Sequence, residues 1–418
     1  MPSTVGTGRW RELDMLRTVV VVGLVFFHAA LVFDTNDDYY VKNDRTTEVT
    51  TYLAALAVVW AMPSLFVVAG LGTWYSLQHR GAGEFLHARL RRLFVPLVVA
   101  TVTIVPVPVW FRLRGDSDYQ QSYLRFWPTF FDARLDWSNF PFVLQGERFE
   151  TGHLWFVELL VAFSVVLLPG LLWLRSDRGR AWTSRQVGRA QGTATLLLLP
   201  ALPLAILGAA LPLEEDIAAW NRWSYLVFFC YGVLLAADPR LPATLAGYAG
   251  QAATVGLPVF GMALGLFVAR DAEGGDPFVD HDLVSVAARV CFGVAGWLWV
   301  AALIAVLARH RSRPPQRTGG GGGRLSSSRR YLDEAALPFY VLHQPILVAI
   351  AFYVVRTDLP GIGKYLLIVG TSLAVIVLVY DVGVRRTALT RWLFGLAPDP
   401  RRAPADAPVA AAAGTASN

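Results

Sequence analysis

The apolar residues of this chain fall into long blocks near twenty residues each, the length a helix needs to cross a bilayer core. Ten blocks are read, at roughly 15–34, 52–75, 93–112, 153–173, 193–212, 223–238, 246–269, 284–308, 335–356 and 364–384, the sixth being short. Helices follow, because hydrocarbon leaves no water to satisfy a free backbone N–H or C=O. The pattern predicts an all-α fold: a polytopic integral membrane protein with about ten transmembrane helices. Two polar stretches interrupt or follow it. Residues 312–328 hold Pro-Pro, five consecutive glycines and three serines, and read as a flexible linker. Residues 397–418 are rich in Pro and Ala and read as a disordered tail.

Composition agrees with the pattern. The chain is 55% hydrophobic and 16% charged, against about 25% charged for a soluble domain. A sequence pI near 9.4 invites a nucleic-acid reading, but the basic residues sit in short loops beside apolar blocks, where topology explains them. The arginines of those loops are Arg9, Arg11, Arg80, Arg89, Arg91, Arg92, a group at 175–189, another at 309–330, and Arg385 onward. The intervening loops are mostly acidic, as at Asp34, Glu214, Glu215, Asp276 and Asp282. Both termini are therefore expected in the cytoplasm of a cell-membrane protein. Loop 113–152 and the loop flanked by Arg356 and Lys364 fit that rule less well. Lys42 and Lys364 are the only lysines, which reads as compositional bias rather than chemistry. Cys230 and Cys291 lie within apolar blocks and are expected to remain unpaired.

Ionisable residues inside a span cost about 2.5–3.5 kcal/mol at mid-helix, so each begins as a functional candidate. Arg17 and His28 stand eleven residues apart in the first block, close to the same helix face and separated by about 16 Å of rise. Arg17 falls at the inner boundary, with Asp14 placed to pair with it, and reads equally as a snorkelling anchor. His28 falls about halfway across, either a hydrogen-bonded packing residue or a proton acceptor. Arg89 and Arg92 share a face at the inner end of the third block, where paired guanidiniums suit phosphate and where ordinary topology also places arginine. His153 and Glu158 open the fourth block on different faces. His343 and Gln344 precede Pro345 in the ninth, and a proline frees a backbone carbonyl, so a polar pocket is expected there. Arg289 is expected to snorkel outward and Asp381 to lie near the inner boundary.

Taken together these segments resemble the membrane acyltransferase family 3. The resemblance rests on Arg17 and His28 following Leu13-Asp14, on Met62-Pro-Ser-Leu-Phe66 with Gly70, on Arg89-x-x-Arg92, on His153-Leu-Trp-Phe156, and on Tyr340-Val-Leu-His343-Gln-Pro345, in that order. Ala69 stands where the family commonly has Ser. The resemblance covers about residues 9–385. It implies transfer of an acyl group, of acetyl or succinyl type, from cytoplasmic acyl-CoA to a hydroxyl of an extracytoplasmic glycan or related acceptor. It implies acyl-CoA as a substrate, with no permanently bound cofactor, no metal and no nucleic-acid partner. His28 and Arg17 are then expected to be catalytic, Arg89 and Arg92 to bind the donor, and His153, Glu158 and His343 to bind the acceptor. The competing reading is a transporter or flippase whose polar residues line a path, although no internal repeat of the kind common in transporters is evident.

Overall fold

The computed structural model describes residues 11–35, 39–190, 195–311 and 322–398. Almost all of it is helix. The first apolar block forms α1 (Arg11–Leu31) and the second forms α2 (Glu48–Val58) and α3 (Ala61–Gln78). The third is one interrupted rod: α4 (Ala82–Arg89), a π turn at Leu90–Phe94, α5 (Val95–Thr103) and α6 (Pro106–Leu113). Loop 114–151 carries α7 (Tyr123–Phe130) and a two-stranded hairpin, β1 (Arg134–Leu135) against β2 (Leu144–Gln145), with Leu135 opposite Leu144.

A 3-10 turn at Gly152–Leu154 then leads into α8 (Trp155–Val166) and α9 (Leu168–Arg175), followed by α10 (Asp177–Ala190), α11 (Thr195–Leu198) and α12 (Ala201–Ala210). The remainder is α13 (Arg222–Ala237), α14 (Arg240–Gly247), α15 (Ala249–Ala272), α16 (Leu283–Arg311), α17 (Gly322–Val354), α18 (Gly361–Val379) with a second π turn at Tyr380–Val384, and α19 (Ala388–Leu393). Among the described residues seven stretches are long and apolar enough to span a membrane singly, and three more do so as bent pairs, which gives up to ten spans. The bends fall where helix propagation fails. The α13–α14 elbow of 106° turns at Asp238-Pro239, and the 55° bend between α8 and α9 precedes Pro169.

Residues 322–328 of the expected linker open α17, since beyond the glycine run Arg, Leu and Ser resume a helical backbone. Residues 312–321 and 399–418 lie outside the described residues. Arg289 does not reach water as expected. It is buried, with Nε donating to the carbonyl of Gly208 at 3.1 Å and Nη1 to those of Pro277 at 3.0 Å and Asp280 at 2.7 Å. Backbone carbonyls of the loop before α16 take the place of solvent. Asp381 pairs with Arg385 at 3.1 Å. Both cysteines are free.

Two helix pairs are packed backbone to backbone. A Cβ on Gly70 of α3 would lie 2.1 Å from the Phe229 carbonyl, and one on Gly232 of α13 would lie 2.0 Å from that of Val67. The α12–α16 pair repeats the device with Gly208 and Gly293. Small residues permit such approaches in membranes, where helix association rests on close packing rather than on the hydrophobic effect. Gly72, beside Gly70, meets nothing.

Candidate active site

Three of the seven histidines, far apart in the chain, converge in the interior. His28 of α1 and His343 of α17 have ring centroids 4.9 Å apart, and His153 meets the edge of His343 at 5.1 Å. Their backbone partners settle the protons. His28 Nδ1 lies 2.9 Å from the Leu24 carbonyl and His343 Nδ1 lies 2.6 Å from that of Tyr340. A carbonyl only accepts, so both Nδ1 atoms carry hydrogen. His343 Nε2, 3.2 Å from His28 Nδ1, is then the acceptor of that shared N–H. The same bookkeeping leaves His28 Nε2 with its lone pair. No protein hydrogen bond reaches this atom among the described residues, and His28 alone of the three is only half-buried. His153, donating from Nε2 to the Val341 carbonyl, keeps a lone pair on Nδ1 but is buried, so the more accessible basic nitrogen is His28 Nε2, oriented from behind by a second imidazole.

The proline anticipated in α17 acts as expected. Pro345 has no N–H for the carbonyl of Val341, four residues back, and His153 Nε2 occupies that carbonyl at 3.0 Å. Tyr340 donates its hydroxyl to the His153 carbonyl in return. Around this link three sequence motifs interlock. Phe156 meets Tyr340 at 5.6 Å and Phe66 at 4.8 Å, while Trp155 and Phe66 both stack on Tyr225 of α13. The His-Leu-Trp-Phe run thus keys α8 to α17 on one side and to the α3–α13 pair on the other.

At the opposite end of the same two helices, Arg17 of α1 donates to the Asp333 carbonyl at 3.2 Å and faces the Asp333 carboxylate at 3.6 Å, with Asp14 at 3.9 Å. Asp333 precedes His343 by ten residues, as Arg17 precedes His28 by eleven. α1 and α17 therefore run parallel and are joined by two rungs, an ion pair and a histidine pair, separated by about 15–16 Å. The Asp333 rung was not anticipated, although this matched spacing was its signal. Arg89 bonds Thr73 Oγ1 on α3 and leaves a buried Nε without a partner. Arg92 follows within the π turn, a helix irregularity common at functional sites. Glu158 does not join the histidines. It bonds the Thr151 side chain and keeps a buried Oε2 with no partner. Among the described residues no group of three His, Cys, Asp or Glu side chains is placed to hold a metal ion.

A model of the acyltransferase 3 domain matches residues 10–381. The chain belongs to the acyltransferase 3 family. No curated protein and no solved structure matches it. This membrane acyltransferase carries all five sequence segments of the resemblance within the matched region, and three of them supply the converging histidines. Along α1 and α17 the polar features separate: the Arg17–Asp333 pair toward one end and the histidines further along.

On the far side of the histidines, the segment 39–43 folds back over the helix ends. Tyr39 stacks on His28 at 5.9 Å, and Tyr40 donates to Glu150 while the Arg112 guanidinium lies 4.2 Å from its ring. Arg112 also faces Glu150 at 3.6 Å. Burial pushes the Glu150 carboxyl above its ordinary value, with Arg112 and Tyr40 pulling it back, and burial likewise raises the Tyr40 phenol. Gly152, two residues past Glu150, has φ +48°, a left-handed conformation that favours glycine, and a side chain there would press on the Tyr40 hydroxyl at 3.2 Å. The two lysines hold the same segment. Lys42 donates to the Leu31 carbonyl at 3.0 Å, and Lys364, buried, donates to Asn43 Oδ1 at 3.0 Å and the Val355 carbonyl at 2.7 Å. They thereby close the C-terminal ends of α1 and α17, where cations satisfy the last carbonyls. Sequence reasoning singled out none of Tyr40, Arg112 and Glu150, and read the two lysines as compositional bias.

Proposed function

We propose that the enzyme transfers an acyl group from acyl-CoA, bound at the arginine-rich face, to a hydroxyl of an acceptor arriving from the opposite face. The reading rests chiefly on the His28–His343 pair, which leaves His28 Nε2 with its lone pair on the most exposed of the three imidazoles. A general base must be able to reach the proton it removes, and an imidazole is suited to this near neutral pH. As the acceptor oxygen attacks the thioester carbonyl, His28 Nε2 takes the hydroxyl proton. The tetrahedral intermediate collapses with cleavage of the C–S bond, and the proton passes to the departing thiolate, giving an ester and free CoA. His343 holds the imidazole of His28 and stabilises its charged form. Arg17, fixed by Asp333, and Arg89 with Arg92 are assigned to the donor's phosphates and thioester end, because guanidinium forks match phosphate oxygens. His153 positions α17 and the acceptor side of the pocket, and Glu158 is a more remote acceptor contact. The positive-inside pattern of the loops supports a cytoplasmic location for the arginine-rich face and both termini, in a cell membrane. An extracytoplasmic glycan is the acceptor class, and acetyl or succinyl the acyl class.

The test is acyl transfer from radiolabelled acetyl- or succinyl-CoA in membranes holding matched amounts of the native chain or His28→Ala. Label on an acceptor with the native chain alone supports the reading. Equal label with both removes His28 from the chemistry, and none with either CoA favours transport.

A further inference from the structure

We propose that Tyr40, Arg112 and Glu150 form the binding station for the acceptor, one layer outside His28, and that they recognise a polyhydroxylated molecule. The proposal deepens the acyltransferase reading above and rests on it. Four observations carry it. First, the three side chains form a closed polar knot whose charged members remain partly open: the Arg112 and Glu150 side chains are 41% and 29% exposed. A knot serving stability alone gains little from staying at the water boundary, because partly solvated ion pairs contribute little to stability. Second, the knot abuts the chemistry on both of its strands. Tyr40 follows Tyr39, which stacks on His28, and Glu150 lies three residues before His153. A molecule bound there has its hydroxyls next to His28 without crossing the histidine layer.

Third, the chemistry suits a polyol. A carboxylate accepts from two hydroxyls and a guanidinium donates to others. Fourth, the loop that supplies Glu150 exposes further polar side chains at its hairpin, Asp132, Arg134 and Glu147.

The test uses the full-length protein in membranes, with labelled acyl-CoA as donor and an envelope polysaccharide extract of the expressing cells as acceptor, titrated by weight. Variants are Glu150→Gln and Tyr40→Phe. The expected result is an acceptor KM raised about tenfold or more by Glu150→Gln, with the KM for acyl-CoA changed less than twofold, and partial rescue in Glu150→Asp. Tyr40→Phe, which keeps the ring and removes only the hydroxyl, supplies the same readout if Glu150→Gln fails to fold. Unchanged acceptor KM in both variants overturns the station, as does a fall in kcat with both KM values unchanged. If the native chain consumes acyl-CoA but labels no polysaccharide, the polyhydroxylated acceptor is wrong while the acyltransferase reading stands. If it consumes no acyl-CoA, the parent reading fails and takes this one with it.

Discussion

The α3–α13 and α12–α16 contacts differ from the α1–α17 contact in almost every respect. In the first two, glycines on each helix face a carbonyl of the other and the backbones touch, with Arg289 of α16 also donating to the Gly208 carbonyl of α12. In the third, the helices are joined by an ion pair and a histidine pair, and a proline leaves one carbonyl to be satisfied by a third element. The first kind of contact tolerates no added atom, and the second consists of atoms that could be exchanged while the helices stay packed. Sites that carry polar groups in the membrane accept a cost in stability to keep reactive groups in place. One part of the bundle is therefore scaffold and the other, on the proposed mechanism, is chemistry, and the two should fail differently.

The largest effect is expected in the scaffold. Gly70→Leu or Gly232→Leu drives a side chain into a backbone carbonyl and should cost about 3 kcal/mol or more. Size-exclusion profiles and thermal melts in detergent should show little native protein, while any folded fraction keeps normal specific activity. A well-folded Gly232→Leu protein would erase the distinction. Next come the histidines: His28→Ala and His343→Ala should each lower kcat by roughly 10²–10³-fold, with melting points within a few degrees of native. The double variant should be little worse than either single, since the two rings act as one unit. Additive losses would separate them.

An intermediate case sharpens the contrast. Lys364→Met leaves the Val355 carbonyl and Asn43 Oδ1 without their donor and should cost about 1–3 kcal/mol, with a partial loss of activity as segment 39–43 loosens above His28. A variant as stable as native would mean water replaces the ammonium there. The smallest effect concerns Glu150, whose surroundings include Arg112, Tyr40 and Asp216. Its carboxyl is held above the ordinary value by burial, so its protonated form favours the folded state. That contribution is present below the unfolded carboxylate pKa and is lost as pH rises through the raised folded value. The melting point of Glu150→Gln should therefore gain on native as pH is raised from about 4 to about 8. A gap independent of pH would contradict the raised value.

The spans were legible because a bilayer imposes a length and a composition on each one, and the bent sixth span was visible as a short block. The separation of His28 from Arg17 along one helix was legible too, since rise per residue is fixed once a helix is assigned. The freed carbonyl before Pro345 was readable for the same local reason, and the structure supplies its partner, His153. Periodicity could not say that residues 28 and 343 touch, because nothing local encodes which helix packs on which. The Tyr40–Arg112–Glu150 knot escaped notice for a related reason. Its members lie in or beside loops, where charge is ordinary, and only their convergence makes them distinctive. Arg289 misled because an arginine near a span end usually finds water, whereas here three carbonyls of neighbouring backbone reach it first.

The distance along the chain between His28 and His343 also has a consequence for biosynthesis. A ribosome adding about 5–20 residues per second needs roughly 16–60 s to travel from one to the other. Throughout that interval the first helix lacks the two partners that α17 supplies, His343 for its histidine and Asp333 for its arginine. On the proposed mechanism, the nascent protein is incomplete as a catalyst until that late helix has been made.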